Sequence, residues 1–118
     1  MGAQARLLAA VAAGGALGSA ARHGLDLALP QPWATVVVNV SGCLLIGALV
    51  ARHRHAALLR AFLGTGVLGG YTTFSTASAD TLALLVDGAV GPAVLHAAGT
   101  AATCTAAVLL GLRLGRRA

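Results

Sequence analysis

Long, mostly apolar stretches alternate along this chain with short segments that carry charge or proline. A bilayer core about 30 Å thick is crossed by about 20 apolar residues in a helix. The charged positions leave four stretches of that length, at about residues 7–29, 33–51, 61–86 and 92–112. The pattern therefore predicts one domain, residues 1–118, with four transmembrane helices, and no cleavable signal peptide, since the first stretch leads directly into the others.

The four stretches differ in how regular a helix they can form. The second opens at an interfacial Trp33 and carries no charge. The first contains Arg22 and Asp26, whose four-residue spacing places them on one helix face, where they can pair. The third contains Gly69 and Gly70 followed by a run of hydroxyl residues. Because glycine weakens a helix and hydroxyls offer the backbone other partners, we expect this stretch to break.

Composition excludes a water-soluble domain. Hydrophobic residues make up 58% of the chain and charged residues 9%, whereas soluble domains carry about 25% charged residues. The net charge of +5 comes from arginines at the ends of apolar stretches, where they meet lipid headgroups, so we expect no nucleic-acid partner. Cys43 and Cys104 lie in apolar runs without metal-ligand spacing, which favours neither a disulfide framework nor a zinc site. We interpret them as inert small residues.

Few polar residues fall inside the predicted spans, and each has a functional and a structural interpretation. Asn39, near the centre of the second span, offers two N–H donors to an anion or simply a hydrogen bond between helices. A break in the third span frees carbonyls that suit a small hard cation or a water, unless neighbouring threonines satisfy them.

Asp80, His96, Thr100 and Cys104 form a narrow polar track on the last two spans. A structural histidine and an interfacial aspartate account for two of them equally well. A hydrolase built from Ser75, His96 and Asp80 lacks any supporting spacing, so the sequence does not predict an enzyme.

Three motifs recur on the predicted spans: the glycine-rich run that ends at Arg22, the Asn-x-x-Gly pattern of Asn39 and Gly42, and the complete signature Gly-Gly-x-Thr-Thr-Phe-Ser-Thr at residues 69–76. Together they resemble the motifs of the Fluc (CrcB) family of fluoride channels. The resemblance covers nearly the whole chain. It implies an all-α membrane protein of four transmembrane helices, with a broken third helix, that assembles as an antiparallel dimer with two pores.

The same resemblance implies roles for individual residues. It assigns a fluoride pathway to Asn39, Phe74, Thr35, Thr73, Ser75, His96 and Thr100, a structural sodium ion to the main-chain carbonyls of Gly69 and Thr72, and structural or vestibule roles to Arg22 and Asp80. Two positions depart from the family pattern: Ala77 stands where a second pore phenylalanine is usual, and His96 where a tyrosine usually opens the polar track.

The predicted function is a passive fluoride channel of the cell membrane that lowers cytoplasmic fluoride and so limits its toxicity. A small proton-coupled multidrug exporter is the first alternative, but it needs an intramembrane carboxylate in its first span, and this chain has no glutamate. A non-conducting structural subunit is the second alternative, and it would account for Ala77.

Arginine placement predicts the orientation of the chain. Seven of the eight arginines lie on the face that holds both termini and the loop after the second span: Arg6, Arg52, Arg54, Arg60, Arg113, Arg116 and Arg117. The positive-inside rule places that face in the cytoplasm. Because an antiparallel dimer then needs a subunit inserted the other way, we favour a heterodimer with a paralogue, and a homodimer remains the alternative.

Overall fold

Helices account for nearly all of residues 2–118, the part of the chain that the computed structural model describes, and no strand occurs among these residues. The long helices are α1 (Ala3–Ala28), α2 (Trp33–Arg52), α4 (Phe74–Val86) and α5 (Val90–Arg117). Between α2 and α4 lies α3, residues 57–71, built from the successive pieces Ala57–Leu59, Arg60–Leu68 and Gly69–Tyr71. The central piece of α3 is a π-helix, and its buried residues are Gly64 and Gly66.

Glycines bring α1 and α3 into direct backbone contact. A β-carbon added at Gly18 would collide with the carbonyl oxygen of Val67, and one added at Gly14 would lie 2.9 Å from the α-carbon of Gly66. Higher residue numbers on α1 meet higher numbers on α3, so the two helices run in the same direction. Small residues permit this approach, which larger side chains would prevent.

A second pair, α2 and α5, packs in the same way. A β-carbon at Gly47 would collide with the carbonyl oxygen of Val108, and one at Gly111 with that of Leu44. A β-carbon at Gly115, one turn beyond Gly111, would lie 2.5 Å from the carbonyl oxygen of Ala48. Higher numbers on α2 again meet higher numbers on α5, so these two helices are also parallel to each other.

Large apolar side chains lie on the outside of this fold. The fully or nearly buried apolar residues are small or medium in size, Ala34, Val38, Ala93 and Ala107, whereas Leu27, Phe74, Val86 and Leu95 are each at least 74% exposed. Two helices, α2 and α5, are long and apolar enough to cross a membrane, and only 11% of the most apolar window of α5 is buried. Apolar helices with so little burial are typical of helical membrane proteins, in which lipid covers the exposed apolar face.

The predicted pairing of Arg22 with Asp26 is wrong. Asp26 Oδ1 instead accepts a hydrogen bond of 3.2 Å from Gln31 Nε2, on the turn that joins α1 to α2. The structure has no ion pair between the two charged side chains. Arg22 and Asp26 share a helix face, but the turn brings the neutral side chain of Gln31 into hydrogen-bond distance of Asp26.

Candidate functional site

The helical path is interrupted between α3 and α4. Thr72 and Thr73 are extended, with φ/ψ of −78°/157° and −148°/121°. The hydroxyl of Thr73 accepts a hydrogen bond of 3.1 Å from the backbone N–H of Thr76, so Thr73 is the N-cap of α4. The interruption falls inside the glycine and threonine signature at residues 69–76.

The side-chain amide of Asn39 braces this interruption from α2. Its Nδ2 donates to the carbonyl oxygen of Thr73 and its Oδ1 accepts from the N–H of Thr73, both at 2.8 Å. Asn39 is 7% exposed and Thr73 9% exposed, so both bonds are shielded from solvent. An amide nitrogen carries two hydrogens, which leaves the second N–H of Asn39 available to another acceptor.

The interruption also frees the carbonyls of Gly69 and Thr72. In a continuous helix the N–H of Thr73 would bond the oxygen of Gly69, but here it donates to Asn39. The N–H of Thr76 would bond the oxygen of Thr72, but here it donates to the hydroxyl of Thr73. The two carbonyls that the family resemblance assigns to a sodium ion are therefore ones that lose their helical donors. Uncharged carbonyl oxygens are suitable ligands for a hard cation.

A cavity of about 700 Å³ lies beside the interruption, between α2, α3, α4 and α5. Five of the residues that the family resemblance assigns to the fluoride pathway line it: Asn39, Thr73, Phe74, His96 and Thr100. The Phe74 side chain is 88% exposed. Ala77, one turn beyond Phe74 on α4, lines the same cavity, so the methyl group leaves space there that a ring would fill.

Two residues assigned to the pathway lie elsewhere. The side chain of Thr35 is completely buried, and its hydroxyl lies 2.8 Å from Asp80 Oδ2 and 2.7 Å from Gln31 Oε1. Ser75 is exposed, with its hydroxyl 3.3 Å from that of Thr73. Thr35 and Asp80 thus tie α2 to α4 near Gln31, the residue of the α1–α2 turn that also bonds Asp26. Arg22, assigned a structural role, is half-buried on α1.

His96 is anchored on one side only. Its Nδ1 lies 2.9 Å from the hydroxyl of Thr81 on α4, while its Nε2 is buried and makes no hydrogen bond within residues 2–118. The hydroxyl of Thr81 is also 3.0 Å from the carbonyl oxygen of Ala77 in its own helix. The imidazole therefore joins α5 to α4 at the wall of the cavity.

Sequence reasoning missed three polar juxtapositions in this region. Thr81 contacts His96, Tyr71 lies with its hydroxyl 3.0 Å from that of Ser41, and Cys43 lines the same cavity as Cys104. The two cysteines are 61 positions apart, so no local spacing could reveal their proximity. Thr81 lies one residue after Asp80 on α4. Only its place on the face of α4 that contacts α5 distinguishes it from the other hydroxyl residues of α4.

Comparison with known proteins identifies close relatives. The sequence model of a family described as "CrcB-like protein, Camphor Resistance (CrcB)" matches residues 9–112. The "Fluoride-specific ion channel FluC" of Paracoccus denitrificans is 43% identical over 113 residues, which cover 90% of this chain and 91% of that protein. A protein of the same name from Thermus thermophilus is 46% identical, covering 98% and 96%. "Fluoride-specific ion channel FluC 2" of Thermobifida fusca is 49% identical, covering 92% and 81%.

Proposed function

The chain belongs to the CrcB family, and on that basis we propose that it is a subunit of a fluoride-specific ion channel, through which fluoride leaves the cytoplasm passively. The names of its relatives give the ion. The observation that carries the proposal in this chain is the convergence of Asn39, Phe74 and Thr100 on one cavity beside the α3–α4 interruption. Lowering cytoplasmic fluoride would limit its toxicity.

The chemistry of this cavity suits a small anion. Fluoride is strongly hydrated, so a pathway must replace its water with hydrogen-bond donors. The second N–H of Asn39 and the hydroxyl of Thr100 can donate without introducing a negative charge. Asp80 lies close in sequence, but its carboxylate accepts from Thr35, and Asp80 does not line the cavity. A carboxylate in the path would repel the anion.

Phe74 and the start of α4 add a positive electrostatic contribution. The edge of a phenyl ring carries partial positive charge, and the first backbone N–H groups of a helix form a positive pole. Phe74 is the first residue of α4, so its ring and the helix N-terminus lie at the same place beside the cavity. Both contributions attract an anion without adding a titratable group.

We further propose a structural sodium ion at the interruption, held by the carbonyls of Gly69 and Thr72. Their diversion from helical bonding supports this assignment. When bound, the ion would supply a fixed positive charge and hold the broken helices in place. One chain contributes two of these carbonyls, and a second subunit would supply the others.

We propose that residues 1–118 form one four-span domain in the cell membrane, with α3 and α4 together as the third passage. The first and last passages are α1 and α5, and both termini lie in the cytoplasm with the arginine-rich face. Two such subunits form an antiparallel dimer with two pores. The extensive exposed apolar surface supports contact with lipid and with a second subunit.

The second subunit is proposed to be a paralogue inserted in the opposite orientation. The arginine bias supports a single orientation for this chain. The name of the Thermobifida fusca relative ends in the number 2, which fits a pair of related proteins in one organism. Ala77 fits this arrangement, since two unlike subunits need not both keep a full set of rings. A homodimer is the competing arrangement, in which this chain alone supports flux.

Fluoride efflux from liposomes tests the proposed pathway. We expect the purified protein, with its partner where one is required, to lose efflux when Asn39→Ala is combined with Phe74→Ala. Leu95→Ala is the matched control, because it shortens an apolar side chain that is 74% exposed and does not line the cavity. Efflux at the wild-type rate from the double variant would refute the pathway.

A further inference from the structure

Cys43 on α2 and Cys104 on α5 lie at corresponding positions beside the close contact between these two helices. Gly47 on α2 lies against the carbonyl of Val108 on α5. Cys43 comes four residues, about one turn, before Gly47, and Cys104 comes four residues before Val108. Since α2 and α5 are parallel, the two cysteines share one level.

Both thiols are reachable from the cavity. Each cysteine is half-buried, and each lines the same space as Asn39 and Thr100. Thr100 is one turn before Cys104 on α5, so a group bound by the thiols would lie next to the proposed fluoride pathway.

The surroundings restrict what the two thiols can bind. Among residues 2–118, no group of three histidine, cysteine or acidic side chains converges on a point suited to a metal. Zinc sites in proteins use three or four such ligands. Soft ions with a filled d shell, such as Ag(I), Cu(I) and Hg(II), prefer sulfur and are satisfied by two thiolates in a line. Selectivity for these ions over zinc follows from having two ligands.

We propose that Cys43 and Cys104 form a two-coordinate binding site for a soft metal ion, and that its occupancy blocks the fluoride pathway. On binding, two S–H bonds break, two metal–sulfur bonds form and two protons are released. A monovalent ion between two thiolates leaves a net charge of −1 in the cavity. That charge would repel fluoride, in addition to the space that the ion fills. The blocking effect rests on the proposed channel function, whereas the binding does not.

Silver binding to the full-length protein, reduced and purified in chloride-free buffer, tests the site. We expect one tightly bound Ag(I) per chain for the wild type, with thiolate-to-metal absorption in the ultraviolet, and background binding for the Cys43→Ser/Cys104→Ser variant. Each single serine variant should lose tight binding, and zinc should not compete. Equal silver binding by the wild type and either single variant would overturn the two-thiol site. A reduced wild-type protein that binds no silver would overturn it as well.

Fluoride efflux from the same preparations tests the block. Silver should reduce efflux of the wild type severalfold or more and leave the double serine variant unaffected. One bound silver per chain with unchanged efflux would contradict the block while leaving the site intact. A wild type that passes no fluoride, either alone or with a co-expressed paralogue, would refute the channel function, and the silver stoichiometry would still decide whether the dithiol site exists.

Discussion

The amide of Asn39 holds the backbone of Thr73 through two hydrogen bonds of 2.8 Å, one donated and one accepted. The buried Asn39 side chain therefore satisfies both backbone polar groups of Thr73, which lies outside the helices. These bonds make Asn39 a positioning residue for the interruption, and its second N–H is the donor that the proposed fluoride pathway uses.

Loss of this brace should destabilise the protein. Asn39→Ala leaves the buried N–H and carbonyl of Thr73 without their partner, and each such group costs about 1–3 kcal/mol. We expect the free energy of unfolding to fall by about 2 kcal/mol or more, measured by denaturant titration in detergent. Thr103→Ala is the control, since that exposed hydroxyl bonds only carbonyls of its own helix. Equal stability of the two variants would show that the brace contributes nothing.

Two glycines on α1 should respond oppositely to the same substitution. Gly18→Ala places a methyl group against the Val67 carbonyl and should cost about 1–3 kcal/mol, because backbone must move. Gly15→Ala meets no atom within 4 Å and should be neutral or slightly stabilising. Thermal unfolding of the two variants compares them directly. A Gly15→Ala variant that is less stable than Gly18→Ala would contradict the α1–α3 packing.

A ring introduced at Ala77 should fit the cavity and aid conduction. Ala77→Phe places a second phenyl group one turn beyond Phe74, within the space the cavity provides. We expect fluoride efflux to rise severalfold with the fold retained. Ala79→Phe adds the same bulk at an exposed position outside the cavity and should leave efflux unchanged. A fall in efflux for Ala77→Phe alone would mean that the space at Ala77 is itself the path.

Sequence predicted the neighbourhood of the site better than its connections. The run at residues 69–76 combines glycines with hydroxyls, and the interruption between Tyr71 and Phe74 lies within it, because these residues disfavour a helix locally. The same local chemistry predicted that carbonyls would be freed at the break, and the family resemblance indicated those of Gly69 and Thr72. Five of the seven residues assigned to the fluoride pathway line one cavity, and three of them, Asn39, Thr73 and Phe74, belong to the family motifs.

Partners distant in sequence could not be read from local patterns. Thr35 was assigned to the pathway, yet it is buried against Asp80, which is 45 positions away. The approach of Cys43 to Cys104 depends on glycines that set the register of α2 against α5. Asp26 bonds Gln31 and not Arg22, because the turn after α1 brings the amide closer than the guanidinium.

Removal of sodium should abolish fluoride conduction, although sodium itself is not transported. The ion is assigned to main-chain carbonyls of Gly69 and Thr72, so its loss should release both segments at the interruption. We expect fluoride efflux to fall at least tenfold when a large organic cation replaces sodium on both sides, and radioactive sodium to remain untransported. Equal fluoride efflux in the two buffers would show that conduction does not require sodium.

The arginine bias predicts one orientation in cells. A single cysteine added at either terminus of the Cys43→Ser/Cys104→Ser variant should be labelled by a membrane-impermeant reagent only after the cells are opened. Comparable labelling in intact and opened cells, together with fluoride efflux from this chain alone, would instead establish a dual-topology homodimer.

Parallel efflux of fluoride and chloride from liposomes containing the purified protein measures directly whether the channel is specific for fluoride. Ion-selective electrodes should record rapid release of fluoride and retention of chloride until detergent is added, while liposomes without protein release neither on the same timescale. Equal release of the two anions, or no fluoride release from this chain both alone and with a co-expressed paralogue, would contradict a fluoride-specific channel.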